Sequence, residues 1–218
     1  NPMLNIFWRE ISGLVTEKKY YKIGELFSKY SLNLFFITSS ISFFIAFNAK
    51  EIIKIIAGKN FESAYLPFLI MAFYPLTQIY GQMAGSIYFA SENIKQYRNI
   101  SIALVTINVL FTYILLAPPN SLIPGLNMSV NEYTFKFFIM GIIGPELLIF
   151  FIKNKCSINY SSLLIYRLIV IIFMIFLNYI LGTIFFSKDI TQLRLIIKLS
   201  IYTSLITVIY YFNNHKKA

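Results

Sequence analysis

Long apolar runs constrain this chain more than any other feature. Six of them are evident: Tyr30 to Phe47, Leu66 to Ala90, Ile100 to Ala117, Tyr133 to Ile152, Ser161 to Phe186 and Gln192 to Phe212. Apolar runs of roughly 18 residues or more are long enough to cross a hydrocarbon layer of about 30 Å as helices. With 57% of 218 residues hydrophobic and only 13% charged, there is too little polar surface to cover a water-soluble core. In lipid, the backbone must satisfy its own hydrogen bonds, which leaves helices or closed barrels. These runs are continuous rather than alternating, so helices are expected. The predicted fold class is all-α: a polytopic membrane helix bundle of about six transmembrane helices. Residues 30–218 form the transmembrane lobe, with spans at about 30–47, 66–90, 100–117, 133–152, 161–186 and 192–212. Residues 1–29 form an amphipathic, basic connector.

In the connector, Leu4, Phe7, Trp8, Ile11, Leu14 and Val15 recur at helical spacing, with Arg9, Glu10 and Ser12 opposite. That pattern predicts a helix lying at the membrane surface with Trp8 at headgroup level, or else the end of a preceding span. The opening Asn1-Pro2, without an initiator Met, reads as the C-terminal part of a longer transporter. The net charge of +10 reads as basic flanks of membrane spans rather than as a nucleic-acid surface. Arg9, Lys18, Lys19, Lys22, Lys29, Lys95, Arg98, Lys153, Lys155, Lys216 and Lys217 fall on one side of the expected topology. Lys50, Lys54, Lys59, Lys188 and Arg194 fall on the other. The richer side is expected to be cytoplasmic, with both ends of the chain. One cysteine, Cys156, and one histidine, His215, leave no basis for an internal disulfide or a His/Cys metal site, and no cofactor is expected.

Between the first two spans lies "AGKNFES". It lacks the earlier glycine and the following Ser or Thr of a phosphate-binding loop, so Gly58 to Ser63 reads as an exterior turn with Phe61 and Tyr65 at the interface. No nucleophile elbow or zinc-protease motif occurs, and catalysis is not expected. Charges inside spans are more telling, because one at mid-bilayer costs about 2.5–3.5 kcal/mol on insertion scales. Glu146 and Arg167 are nearly equidistant from a turn centred near Cys156, so antiparallel helices bring them to similar depth. They are expected to pair, either as a static lock or as part of a gate or headgroup contact. Gln78, Gln82 and Ser86 repeat at i, i+4, i+8, a stripe that serves helix packing or faces a polar cavity. Asn108 and Asn178 read the same way, and Lys198 is expected to snorkel outward.

The order of these features resembles a known family. "EIIKIIAGKNFESAYLPFLIM", with Gly58, Phe61 and Ala64, is similar to a characteristic turn of the polysaccharide flippases. These are the O-antigen and lipid-linked-oligosaccharide transporters of the multidrug/oligosaccharidyl-lipid/polysaccharide exporter superfamily. "GQMAGSIYFASENIKQYRNI" and "INVLFTYILLAP" follow in the family's order, whereas "PPNSLIPGLNMSVNEYTFK" departs from its usual glycine-rich entry. The resemblance covers about residues 1–150 and implies the C-terminal half of a non-enzymatic, two-lobe alternating-access transporter in a bacterial cytoplasmic membrane. Its partners would be a polyprenyl-pyrophosphate-linked oligosaccharide, membrane lipids and an N-terminal lobe of the same chain, with no nucleic acid. Lys95, Arg98 and Arg167 would then attract the pyrophosphate, and Gln78, Gln82 and Ser86 would line the path. The alternatives are a cation-coupled drug or metabolite antiporter of the same superfamily, with Glu146 as its acidic residue, or a membrane polymerase or ligase of surface glycans.

Overall fold

Apolar segments with no strand partner satisfy their backbones by coiling, and every long run is helical in the computed structural model, which describes residues 2–184 and 192–215. The helices are α1 (Pro2–Thr16), α2 (Tyr20–Phe47), α3 (Ala49–Ile56), α4 (Tyr65–Met71), α5 (Tyr74–Ala90), α6 (Ile94–Leu116), α7 (Val130–Ile152), α8 (Tyr160–Ile184) and α9 (Gln192–His215). A 3₁₀ turn, Lys59–Ala64, precedes α4. Helices α2, α6, α7 and α8 are long and apolar enough to cross a membrane. The chain is an all-α, polytopic membrane protein.

Helices α2 and α5 hold the centre. Helix α2 packs against α1, α5 and α8; α5 packs against α1, α2, α6 and α7; α7 also meets α4 and α6. Lipid tails are as apolar as leucine, so close packing and hydrogen bonds must hold such helices together. Ser31, Ser39, Ser40 and Ser42 are accordingly buried along α2. Glycines do the same between α5 and α7: a Cβ on Gly81 would lie 3.3 Å from the Pro145 ring, and one on Gly141 3.3 Å from Tyr74. At Gly24 the approach is tighter, since a Cβ would sit 2.3 Å from the Cys156 carbonyl oxygen. The α7–α8 turn therefore docks directly on α2. Tyr88 donates to the Leu148 carbonyl at 3.0 Å nearby. These residues mark one end of the bundle, the Cys156 end; the opposite one, where α2 stops, is the Asn48 end.

Several boundaries differ from expectation, each for a local reason. Residues 1–29 are not a free connector: α2 begins at Tyr20, ten residues before the expected span. Phe7 and Ile11 of α1 are buried with Ile23 and Phe27, so the apolar face of α1 meets protein, while Trp8 stays partly exposed against Phe89. The first span ends at Phe47 as expected, where the Asn48 backbone leaves the helix. The second span is two helices, because Pro75 has no N–H for the Met71 carbonyl and its ring would clash there. Helix α6 starts at Ile94 rather than Ile100 and so carries Lys95 and Arg98. Helix α7 starts at Val130, where the Ser129 hydroxyl accepts from the Asn131 N–H as an N-cap and donates to the Glu132 carboxylate. The end of the fifth span beyond residue 184, and Lys188, lie outside the described residues. Helix α9 covers the sixth span.

Candidate functional site

Helix α7 carries two ionisable side chains inside its span, Lys136 and Glu146. The ten residues between them put them about 15 Å apart along the axis. Each lies six residues from an end of the helix, about 9 Å in. Their surroundings differ.

Glu146 follows Pro145, which interrupts the hydrogen-bond ladder of α7. One carboxylate oxygen receives the Tyr160 hydroxyl at 2.6 Å, and the other pairs with Arg167 Nη1. Arg167 reaches this position from α8 and is only 8% exposed. Its guanidinium lies 3.7 Å from the centroid of the Tyr80 ring on α5. Nε and Nη2 have no hydrogen-bond acceptor among the described residues, and the ring face stands in for one. The cluster ties α5, α7 and α8 at one depth, and it includes Tyr80 and Tyr160, which sequence reasoning did not single out.

Lys136 was also missed. It is 6% exposed and takes part in no ion pair among the described residues. Its ammonium donates to the Asn108 carbonyl at 3.0 Å, to Asn108 Oδ1, and to Thr112 Oγ1 at 2.6 Å. All three donors are therefore met by neutral acceptors on α6. Glu132 lies one turn away on the same helix, but its carboxylate is bound to Ser129. The available signal was Asn108 and Thr112 at i, i+4, a pair able to hold one cation from a neighbouring helix.

A cavity of about 220 Å³ opens between α5, α6 and α7, lined by Gln78, Asn108, Tyr74, Met140, Gly141 and Pro145 among others. It lies where the α4–α5 break faces the glycine-proline segment of α7. Gln78 thus faces a mostly apolar space that it shares with Asn108. Gln82 is exposed, and Ser86 turns its hydroxyl back to the Gln82 carbonyl at 2.9 Å. Lys95 is exposed beside a separate surface hollow with Glu92, Asn93 and Gln96 at the Cys156 end. Arg98 is exposed on the same helix, and neither it nor Lys95 has a hydrogen bond or ion pair with Arg167. The candidate path residues therefore do not form one continuous lining.

Asn178 donates to the Met174 carbonyl at 2.9 Å and to Tyr202, whose hydroxyl donates to the Ser40 carbonyl at 2.8 Å. That network fastens α9 to α2 and α8. Lys198 reaches the Asn48 end of the bundle, where its ammonium donates to Asn48 Oδ1 at 2.7 Å and the side chain is partly buried. No family model, no curated protein and no solved structure matches the chain.

Proposed function

We propose that this chain is one lobe of a transporter that flips polyprenyl-pyrophosphate-linked oligosaccharide units across a bacterial cytoplasmic membrane. The observation that carries the reading is the cavity between α5, α6 and α7, where Gln78 and Asn108 stand among mostly apolar neighbours. It lies at the meeting of two interrupted helical segments, the α4–α5 break and the Pro145 region of α7. Interrupted helices lining a midplane cavity are a recurring way to build a transport site in lipid. Lys136, its charge unbalanced by any described carboxylate, shares Asn108 with that cavity. An anionic pyrophosphate crossing a bilayer needs polar and cationic neighbours of this kind. The order of sequence features shared with polysaccharide flippases supports the same substrate class.

The cation-coupled antiporter reading needs a carboxylate free to bind its ion, and Glu146 is occupied by Arg167 and Tyr160. The turns at the Cys156 end carry Lys18, Lys19, Lys153 and Lys155, which supports a cytoplasmic placement for that end. The test is a strain lacking the protein. It should accumulate lipid-linked repeat units in the cytoplasmic leaflet and lose surface polysaccharide, both restored by the intact gene. Normal surface polysaccharide in that strain would overturn the proposal.

A further inference from the structure

The two ends of the bundle treat apolar side chains differently. At the Cys156 end, the turns 17–19, 91–93 and 153–159 themselves expose no large apolar side chain, and the exposed ones nearest them, Tyr21, Ile94 and Phe151, sit on the helices. At the Asn48 end, two separate elements expose such side chains. Ile56 at the end of α3 is 80% exposed, with Phe61 of the following 3₁₀ turn also open, and Leu122 in the α6–α7 loop is 99% exposed beside Ile123.

Each of these side chains is held out by defined backbone. Asn48 leaves helical geometry at φ −113°, ψ 21°, its amide donates to the Phe44 carbonyl at 2.7 Å, and its oxygen receives Lys198. Helix α3 thus starts from a pinned elbow. Along it, Ala49 and Ile53 are buried and Ile52 is partly so, which leaves Ile55 and Ile56 open near its end, while Lys50 and Lys54 are exposed. Gly58, at φ 88°, then stops the helix in a backbone conformation that favours glycine. The α6–α7 loop folds back on its own helix, with the Leu126 N–H on the Ile114 carbonyl and the Met128 N–H on that of Leu115, both at 2.8 Å. Leu122 and Ile123 form its tip.

We propose that α3, the 3₁₀ turn and the α6–α7 loop together form a foot that inserts into the bilayer leaflet at the Asn48 end. The occupant is lipid because the exposed apolar residues follow directly on the exposed ends of two membrane-length helices, Ile41 and Phe47 on α2 and Ile114 and Leu116 on α6, with Lys50, Lys54 and Asn120 as the exposed polar residues between. The foot's α3 and turn carry Lys50, Lys54 and Lys59 against Glu51 and Glu62, three charges against two. Insertion is therefore driven by apolar area rather than by attraction to anionic headgroups. The foot seats the α2–α3 elbow and the end of α6 at a fixed depth, whatever the bundle transports.

The test uses the purified chain in nanodiscs of phosphatidylcholine, with single variants Ile56→Cys, Phe61→Cys and Leu122→Cys carrying an environment-sensitive nitrobenzoxadiazole label. Glu62→Cys and Asn120→Cys serve as water-facing positions. All five residues are exposed, so the variants should fold, as checked by gel filtration, and buried Cys156 should stay unlabelled. The expected result is blue-shifted emission at 56, 61 and 122, quenched by nitroxide lipids labelled near the headgroup and unaffected by raised salt. Water-like emission with quenching by aqueous iodide at all five positions would overturn the proposal. A blue shift without nitroxide quenching would overturn it too, since a second copy of the chain would then cover the foot.

Discussion

Lys136 and Glu146 share a helix, a similar distance from its ends and the same general problem of a charge in lipid, yet the fold answers them oppositely. Glu146 receives a full counter-charge from Arg167, a hydroxyl from Tyr160, and an aromatic face behind the guanidinium. Lys136 has only neutral partners: two oxygens of Asn108, one of Thr112, and the Tyr133 ring at 5.8 Å. A paired buried charge is held chiefly by its partner and becomes a liability once the partner is removed. A buried cation among neutral acceptors keeps its charge available to an incoming anion. The difference teaches that charge inside a span is not one kind of evidence: the first site reads as a lock, the second as a station.

The comparison breaks most visibly at Arg167. Arg167→Met should destabilise the protein by about 2–3 kcal/mol, towards the low end for a broken buried pair, because Glu146 is left half-buried with only the Tyr160 hydroxyl. Denaturation in micelles would measure it, and the double variant Arg167→Met with Glu146→Leu should recover most of the loss. A single variant as stable as the parent would end the reading as a lock. Lys136→Met should behave otherwise. Stability should change by only about 1 kcal/mol, while surface polysaccharide in a complemented deletion strain falls at least about tenfold, the equivalent of about 1.4 kcal/mol in the transport barrier. Full complementation would make Lys136 a strut between α6 and α7.

A finer test is the coupling between Lys136 and Asn108. Asn108→Leu combined with Lys136→Met should give a double-mutant coupling of about 0.6–1.7 kcal/mol, the range found for polar contacts between membrane helices. Zero coupling would mean the two side chains do not depend on each other. Smallest in energy is the signal from Cys156, in the turn that joins α7 to α8. Burial pushes its thiol up from the ordinary 9.0 to about 11. The folded state therefore favours the neutral thiol, and that contribution is present below the unfolded value and declines as pH rises from about 9 towards 11. Alkylation by iodoacetamide should be slow near neutrality and accelerate through that window. In Arg167→Met it should accelerate already at neutral pH if loss of the ion pair undocks the turn from Gly24. An unchanged rate would show that the turn holds without the pair.

Much of the architecture was legible because lipid leaves a chain few choices. Continuous apolar runs dictate helices, and counting outward from Cys156 matches Glu146 with Arg167 by depth alone. The small residues Gly81, Gly141 and Gly144 could be read as packing positions, though not as packing against Pro145, Tyr74 and Leu104. The N-terminal helix shows where the pattern misleads. Its apolar stripe resembles that of a helix on a membrane surface, yet Phe7 and Ile11 are covered by α2 and α5. Helix α3 is amphipathic too, yet Ala49 and Ile53 are buried and only Ile55 and Ile56 stand open. Periodicity reports that one face is apolar; it does not say whether protein or lipid lies against it.

The sequence by itself determined the solvent and the secondary structure: a membrane, and helices that satisfy their own backbones. It also determined the interruptions, since Pro75 and Pro145 remove donors wherever they sit. Only the tertiary structure decided which charges are compensated. Lys136 and Lys198 find Asn108 and Asn48 from helices 28 and 150 residues away in sequence, and no local pattern encodes such meetings. They arise because packing around α2 and α5 brings particular faces to particular depths, and side-chain chemistry is settled only there.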